Sequence, residues 1–372
     1  MTSHLVSGSR QRAEEVSDAS SVVMGPLKGY HHETYVLALP NGRQTVKFRE
    51  PRAEILWFDR RCFTSEEDLL RALNGSVTRI PDIHDVAGMG MQGFIEGRTL
   101  GTHPWRGQRV SHSVFDQIVD LFQEMVRITP DRLLGVERRC KEEDRPKNGD
   151  TTGFLERLII FTEKHVYTKN HDEFAALFGD LGVDGKSFAR IRESAKGMRQ
   201  RPFCLLHADL HRKNFVLDPH GQLWTIDWEL AMLGDPLYDL ATHLYLMRYP
   251  ADQERRMTQE WIRVVERTRP GGTDGWENDL PLLLDFKRVQ SVFTDVIRTS
   301  LSLCEGTGFN WAALPWAALK LQRILDNAAE PLGLEGAPSH ARIMGALVRW
   351  NRVLGATRAA RAGQVPERVE PV

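Results

Sequence analysis

Residues 205–239 read LLHADLHRKNFVLDPHGQLWTIDWELAMLGDPLYD. Three oxygen-bearing side chains are spaced along them: Asp209, then Asn214 five positions later, then Asp227 thirteen positions after that. The apolar run at 223–226 predicts a short buried strand, with Asp227 leaving its carboxyl end. Carboxylate and amide oxygens are ligands that magnesium takes together with phosphate oxygens and water. These residues therefore predict a magnesium site with a further carboxylate beside it.

The same spacing suits transfer of a phosphoryl group. This chemistry asks the protein for positioning and charge neutralisation more than for covalent participation. Asp209 is placed where a carboxylate could accept the proton of an attacking hydroxyl. Asn214 could hold a metal through a neutral oxygen without repelling that carboxylate. The catalytic loop of protein kinases has the same order, His-x-Asp, four residues, then Asn, with a metal-binding Asp further along.

Three linked segments, HADLHRKNF, TIDWE and GDPLYDLA, resemble the aminoglycoside phosphotransferase and choline kinase group. These are kinase-like enzymes that phosphorylate hydroxyls of small molecules. The resemblance implies that Asp209 is the catalytic base and that Asn214 and Asp227 bind Mg²⁺. It also implies that His207 braces the loop.

Several of these residues have simpler explanations. Asp235, in Gly-Asp-Pro, is typical of a turn or a helix N-cap, and Asp239 of a buried hydrogen-bonding anchor; the resemblance implies structural roles for both. His207 and His211 are four apart, as in a zinc pair. That spacing points two ligands one way only on a helix, whereas residues 209–210 are predicted to form a turn.

Composition restricts the class of protein. The chain has 372 residues, 41% of them hydrophobic, which suffices for one large domain or two lobes. No run of 18 apolar residues exists, so we expect no membrane span. Residues 1–20 lack the apolar core of a signal peptide, and we expect them to be disordered. The net charge of −1 predicts no affinity for nucleic acid.

Cysteine usage indicates the compartment. Cys62, Cys140, Cys204 and Cys304 are widely scattered and show no paired spacing. This pattern is typical of a reduced, cytoplasmic protein and argues against a disulfide framework or a structural zinc site.

A β pattern opens the chain, at 22–24, 35–39 and 45–48, and Asn41-Gly42 between the last two is a strong hairpin signal. Lys47 lies in the apolar run Thr-Val-Lys-Phe, where an ammonium needs a partner. It matches the strand lysine that contacts nucleotide phosphates in kinases. The alternative is a lysine at the edge of the sheet that reaches solvent.

Residues 28–34 occupy the position of the phosphate-covering loop, so Gly29, Tyr30 and His31 are assigned to the nucleotide by resemblance. The single glycine departs from the glycine-rich kinase pattern, and an ordinary exposed turn would explain His31 equally well.

A helix is predicted over 65–74, with Ser65 as its N-cap and a core face of leucines. Glu66 matches the kinase glutamate that pairs with Lys47; Glu67 competes for the role, and helix capping alone would explain both. Two more strands, ending at a turn, are predicted over the stretch from 79 to 97. The resemblance places the adenine-binding hinge, where backbone groups meet the base, at Gln92 to Phe94.

The remainder is predicted to be helical. Val114, Ile118, Leu121 and Met125 recur at helical spacing, further helices are expected at 154–167, 172–178 and 187–198, and a mixed-charge linker at 137–150 is expected to be solvated. A sheet with one helix, followed by a helical body, predicts an α+β, bilobal, protein-kinase-like fold. Its N-lobe would comprise 21–97, and its helical C-lobe, with the catalytic loop and acceptor site, 98–372.

The resulting hypothesis is a phosphotransferase that uses ATP and Mg²⁺ to phosphorylate a hydroxyl of a small molecule, in antibiotic resistance or biosynthesis or in metabolism. The near-neutral charge argues against a polycationic acceptor, although the acidic run at 274–279 could bind one. Two alternatives stay open. One is a kinase for Ser or Thr of a peptide natural-product precursor, whose acidic leader could meet the basic C-terminal helix. The other is a non-catalytic pseudokinase scaffold.

Overall fold

The computed structural model describes residues 22–27, 32–38, 45–51, 56–86, 88–101, 108–304 and 308–362. The predictions for residues 1–20, for the turn at 40–43 and for Gly29, Tyr30 and His31 fall outside these ranges. Contacts divide the chain into two compact units. The first comprises Met1–Ile55, Arg60–Phe154 and Met198–Leu280, and the second Leu56–Asp59, Leu155–Gly197 and Pro281–Val372.

The first unit contains a five-stranded antiparallel sheet in the order β1-β2-β3-β5-β4. Its strands are β1 Val22–Leu27, β2 His32–Ala38, β3 Thr45–Pro51, β4 Ile83–Val86 and β5 Met89–Gly93.

The hairpin of β2 and β3 was predicted correctly. Ala38 pairs with Thr45, so the register is centred on Asn41-Gly42, the dipeptide that signals the turn. Side chains that alternate along the strands supply a buried apolar cluster on one face of the sheet. Its fully buried members are Tyr35, Leu37, Val46 and Met91.

The two strands predicted over 79–97 are present as β4 and β5, and β4 begins at Ile83. Arg79 has a left-handed backbone (φ 53°), which a strand cannot accommodate. Its carbonyl accepts a hydrogen bond from the N–H of Thr225 at 2.9 Å.

Helix α1 spans Glu66–Leu73, as predicted. The Ser65 hydroxyl caps it by accepting from the N–H of Asp68 at 3.0 Å. Leu69, Leu70 and Leu73 form the buried face, which fixes the direction in which the first-turn carboxylates point.

The helical prediction for the rest of the chain is confirmed, with different bounds. The helices are α2 His112–Val126, α3 Thr151–Phe161, α4 His171–Asp180, α5 Lys186–Ala195, α6 Pro236–Met247, α7 Ala251–Thr268, α8 Trp276–Ser302, α9 Leu314–Leu332 and α10 His340–Ala362. None of the helices in the described ranges combines the length and hydropathy needed to cross a lipid bilayer.

Five short strands complete the first unit: β6 Arg98–Thr99, β7 Cys204–Leu206, β8 Phe215–Leu217, β9 Leu223–Thr225 and β10 Met232–Gly234. They form two small sheets, β6-β8-β9 and β10-β7. The loops that leave β7, β8 and β9 carry the polar residues of the stretch quoted first.

Candidate active site

The β8–β9 hairpin brings two of the predicted site residues together. Because Phe215 pairs with Thr225, the residues just before β8 and just after β9 lie at the same end of the hairpin. The N–H of Ile226, one residue before Asp227, donates to the carbonyl of Asn214 at 3.0 Å and joins the two segments. Asn214 and Asp227 are therefore neighbours although thirteen positions separate them.

Asp209 lies beside this pair, on the loop between β7 and β8. The Asn214 amide nitrogen donates to the Asp209 carbonyl at 2.9 Å and to its carboxylate Oδ2 at 3.1 Å. His211 Nε2 is 3.4 Å from the same Oδ2. Burial opposes the charged form of His211, but the Asp209 carboxylate outweighs it and raises the pKa of the imidazole. One carboxylate oxygen of Asp209 is thus oriented from two sides.

Asp239, on α6, anchors the start of the loop. Its carboxylate accepts from the N–H of His207 at 3.1 Å and from that of Ala208 at 2.8 Å. Ala208 has a left-handed backbone (φ 63°), a conformation costing about 1–2 kcal/mol for a residue with a Cβ. The two hydrogen bonds hold it there, which confirms the prediction of Asp239 as a buried structural anchor.

His207 joins the loop to the residue before Asp227. Its Nε2 lies 3.1 Å from the Ile226 carbonyl, and since a carbonyl only accepts, Nε2 carries the hydrogen. Its ring packs on Trp228 at 4.6 Å between centroids. Burial lowers the pKa of His207 to about 4, so the ring is neutral. His211 differs from His207 in its partners, since its Nδ1 accepts from the N–H of Lys213 at 3.1 Å.

Asp235 caps α6 and is paired with a buried arginine. Its carboxylate accepts from the N–H of Leu237 at 3.0 Å and from Arg201 at 2.8 and 2.7 Å. Arg201 also donates to Asp279 at 2.6 Å, and its side chain is fully buried. Asp279 is thereby removed from the acidic surface run predicted at 274–279.

The strand cation that contacts the candidate site is Arg49, which the sequence analysis missed. Arg49 forms an ion pair with Glu66, and its Nη2 is 3.6 Å from Asp227 Oδ1 and 3.7 Å from Glu229 Oε2. The predicted lysine, Lys47, points to the same face of β3, two residues earlier. Among the described residues, no hydrogen bond or ion pair of Lys47 is found.

Glu66 therefore forms its ion pair with Arg49, whereas the sequence predicted Lys47 as its partner. Its other oxygen, Oε1, accepts from the N–H of Trp228 at 2.8 Å. Burial opposes the charge on Glu66, but Arg49 keeps its pKa below the ordinary value. The competing Glu67 lies elsewhere and accepts from Gln92 at 3.3 Å. The signal that could have identified Arg49 was a second cation on the same strand face.

The site carries more negative than positive charge. Burial raises the pKa of Asp227 to about 7; Arg49 opposes this, whereas Glu229, Glu66 and Asp209 add to it. The Asp227 side chain is 38% exposed overall, yet its Oδ1 is buried and has no hydrogen-bond partner among the described residues. Asp227 also has a left-handed backbone (φ 67°), which aspartate tolerates.

The pKa of Lys47 is shifted in the opposite direction, downward. Burial and the neighbouring Arg49 lower its pKa to about 8, while Glu66 and Asp227 partly restore it. Its ammonium is therefore a cation held close to carboxylates without a direct contact to them. Such a group is available to an anionic ligand.

The residues present fit a magnesium ion bound together with phosphate. Mg²⁺ is held by one or two protein ligands plus phosphate oxygens and water. Asp227 offers a buried oxygen that lacks a hydrogen-bond donor, and the Asn214 amide, with its nitrogen turned to Asp209, offers its oxygen. No cluster of three or more His, Cys, Asp or Glu side chains suited to a metal was found in the described part of the chain.

The residues predicted to form the adenine-binding hinge, Gln92 to Phe94, lie at the end of β5. Gln92 is a buried residue within β5, opposite Lys47 on β3. The N–H of Gly93 donates to Asp82 and that of Phe94 to Thr45, both at 2.8 Å. These two donors are occupied within the protein, so they are not open to an adenine edge.

A sequence profile described as the phosphotransferase enzyme family matches residues 23–273. A search of curated proteins found no match. Among solved structures, a candidate aminoglycoside phosphotransferase from Ralstonia eutropha is 14% identical, with 89% of this chain and 98% of that chain covered and a TM-score of 0.54. This likeness confirms the α+β, protein-kinase-like fold class predicted from the sequence.

Two further solved structures resemble most of this chain. Choline kinase from Streptococcus pneumoniae is 17% identical, covering 87% of this chain and 100% of that chain with a TM-score of 0.48. Macrolide 2′-phosphotransferase from Brachybacterium faecium is 14% identical, covering 82% and 93% with a TM-score of 0.48.

Proposed function

Because this chain belongs to the phosphotransferase enzyme family, and is an enzyme that transfers phosphate to a hydroxyl group, we propose that it moves the γ-phosphate of ATP to a small molecule with the help of Mg²⁺. The acceptor would be an antibiotic or a metabolite, and the reaction would take place in the cytoplasm. Neither nucleic acid nor a membrane is expected as a partner.

One observation carries this proposal: Asp209, Asn214 and Asp227 lie together. The hydrogen bond from Ile226 to Asn214 joins the ends of the β8–β9 hairpin, and the Asn214 amide reaches Asp209 Oδ2 at 3.1 Å. A carboxylate, an amide and a second carboxylate are the groups that phosphoryl transfer to a hydroxyl needs.

Asp209 is proposed to accept the proton of the acceptor hydroxyl. The Asn214 amide and His211 hold its Oδ2 side, which leaves the carboxylate oriented toward an incoming alcohol. Asp239 and His207 act through the backbone of the loop and are positioning residues.

Asn214 and Asp227 are proposed to hold Mg²⁺. The ion, when bound, would supply charge neutralisation at the phosphate oxygens. The buried Oδ1 of Asp227 and its raised pKa support this assignment, because a divalent cation would offset the repulsion from Glu66, Glu229 and Asp209.

Two cations of β3 are proposed to meet the phosphates. Lys47 has no ion pair in the described residues and is the more available of the two. Arg49 is held by Glu66 and Asp227, so it would both fix the metal-binding carboxylate and contribute charge. We propose that backbone groups at 95–97 bind adenine, since the N–H groups of Gly93 and Phe94 already donate hydrogen bonds within the protein.

The chain's charge favours an acceptor that is not a polycation. The net charge is −1, and Asp279 of the acidic run is buried against Arg201. A polycationic ligand is attracted by an excess of exposed carboxylates. In this chain the 50 Asp and Glu residues are nearly balanced by 49 Lys and Arg residues. We therefore propose an acceptor of low positive charge.

The proposal is tested by phosphate transfer from γ-labelled ATP and Mg²⁺. Three acceptors are compared: a polycationic aminoglycoside, a neutral hydroxylated molecule such as a nucleoside, and a peptide rich in Ser and Thr. The expected result is label on the neutral acceptor, abolished by Asp209→Asn. Label on the peptide alone would replace the small-molecule assignment with the peptide one. Absence of nucleotide binding as well as of transfer would contradict the proposal and favour a scaffold.

A further inference from the structure

Two cysteines that are 78 positions apart in the sequence meet in the structure. Cys62 comes just before the Ser65 cap of α1, and Cys140 lies in the segment predicted to be a solvated linker. Phe63 and Arg138 form an antiparallel bridge, which brings the two segments side by side.

Backbone hydrogen bonds fix this pairing on both sides of the bridge. The N–H of Thr64 donates to Glu137 and the N–H of Arg139 donates to the carbonyl of Cys62, both at 3.0 Å. The chain bends at 139 and 140, directly after the bridge. The regular strand pairing therefore ends before Cys140, whose neighbour Arg139 is bonded to Cys62.

The two thiols belong to these paired segments and lie close enough that each shifts the pKa of the other, with Cys62 acting as the hydrogen-bond donor. Both residues are half-buried, so small oxidants in solvent can reach them. A disulfide requires two cysteines whose side chains already face each other at short range. Because the backbones are paired beforehand, closing the bond needs no separation of the two segments.

The surroundings make Cys140 the more reactive member. The hydrogen bond from Cys62 lowers the pKa of Cys140 to about 5; burial opposes this, and Arg145 and Arg60 reinforce it. Arg145 is held in place by donating to the Cys140 carbonyl at 3.1 and 2.7 Å. Cys140 is thus a thiolate at neutral pH, the form that reacts with oxidants. Cys62, as the hydrogen-bond donor, keeps its proton.

We propose that Cys62 and Cys140 form a reversible oxidation site, a dithiol that a hydroperoxide converts to a disulfide. The Cys140 thiolate attacks the O–O bond and becomes a sulfenic acid, while the other peroxide oxygen leaves as hydroxide or alkoxide and is protonated. The Cys62 sulfur then attacks the sulfenic sulfur, loses its proton and expels water. With hydrogen peroxide, two thiols and one peroxide give one disulfide and two waters.

The other two cysteines provide internal comparisons. Cys204 is buried in β7, and burial raises the pKa of its thiol well above the ordinary value. Cys304 is half-buried, and its thiol donates to the Asn351 side chain at 3.5 Å. Cys304 thus resembles Cys62 in exposure, but its thiol is bonded to an amide.

The test uses the full chain at pH 7 with hydrogen peroxide at a few molar equivalents. Free thiols are then blocked with N-ethylmaleimide, and the protein is digested without reductant for mass spectrometry. The expected product is one peptide pair linked through Cys62 and Cys140, released by dithiothreitol. Cys304→Ser should give the same product. Cys62→Ser should stop at a sulfenic acid on Cys140 that dimedone traps.

Three results would overturn the proposal. The first is peroxide consumption without a 62–140 link. The second is oxidation of Cys304 as fast as that of Cys140. The third is a Cys62→Ser protein whose Cys140 resists dimedone. Because Cys62→Ser replaces the thiol donor with a hydroxyl donor and keeps the arginines beside Cys140, it decides the matter even if Cys140→Ser does not fold.

Discussion

Arg49 Nη2 lies 3.6 Å from Asp227 Oδ1, so a cation on β3 holds the carboxylate proposed to bind metal. The same guanidinium pairs with Glu66 on α1, which in turn accepts from the N–H of Trp228. The strand, the helix and the loop after β9 are therefore joined through one side chain. This is the contact by which the sheet and the catalytic stretch are held in register.

Replacing Arg49 with methionine should destabilise the protein. It leaves the buried Glu66 and the Oδ1 atom of Asp227 without their cation, and breaking a buried pair from one side costs on the order of 3–5 kcal/mol. Lys47→Met is the matched control on the same strand face and should change the free energy of unfolding by less than about 1 kcal/mol, while still weakening nucleotide binding. Urea unfolding measures both variants. Equal losses would contradict the special position of Arg49.

Asp209→Asn should lower the rate of phosphate transfer ~10²–10⁴-fold, because a positioned base is lost. Nucleotide affinity should stay unchanged, since Asp209 is proposed to contact the acceptor. Steady-state kinetics and nucleotide titration measure the two effects separately. A variant with wild-type turnover would show that another group takes the proton.

Asp239→Asn should destabilise the catalytic loop. Asp239 accepts from two backbone N–H groups, and an amide can satisfy only one of them, which leaves a buried donor unpaired at a cost of about 1–3 kcal/mol. Asp252→Asn on α7 is the matched control. Its carboxylate is 52% exposed and pairs with Arg109 at the surface, so its loss should leave stability nearly unchanged. Similar thermal unfolding of the two variants would contradict the anchoring role.

His243 should make stability depend on pH. Its Nδ1 donates to the Leu210 carbonyl at 3.0 Å and its Nε2 accepts from the Tyr249 hydroxyl at 3.0 Å. Burial lowers the pKa of His243 from 6.5 to about 3. As the pH falls below about 6.5, the unfolded chain takes up a proton that the folded chain refuses, so this contribution to stability is lost progressively down to about pH 3.

The slope from His243 should approach ~1.4 kcal/mol per pH unit below pH 6. His243→Asn keeps a donor near Leu210 but cannot be protonated, so its free energy of unfolding should fall less steeply between pH 6.5 and 5. Chemical denaturation at several pH values measures this. Parallel slopes for the two proteins would mean that His243 protonates freely in the folded state.

Much of the site could be predicted from the sequence, because its residues are close along the chain. The spacing of Asp209, Asn214 and Asp227 around a two-stranded hairpin leaves little freedom. The pairing of Ala38 with Thr45 likewise agrees with the register that the Asn41-Gly42 dipeptide predicts for β2 and β3.

What the sequence could not supply were choices between near-equivalent positions and contacts between distant ones. Lys47 and Arg49 share one strand face, and only the position of Glu66 distinguishes them. The left-handed backbone of Arg79 excludes this residue from β4, which begins at Ile83. Cys62 and Cys140 looked unrelated because the bridge from Phe63 to Arg138 joins segments that no sequence pattern connects.

The most direct test is calorimetric titration of a non-hydrolysable ATP analogue into the full chain, with Mg²⁺ and with a chelator, for wild type and Asp227→Asn. The expected result is Mg²⁺-dependent binding by wild type that Asp227→Asn weakens at least tenfold, with the Mg²⁺ dependence reduced in the variant. Binding that is equally tight in the chelator, or unaltered in Asp227→Asn, would contradict a metal-bound nucleotide held by Asn214 and Asp227.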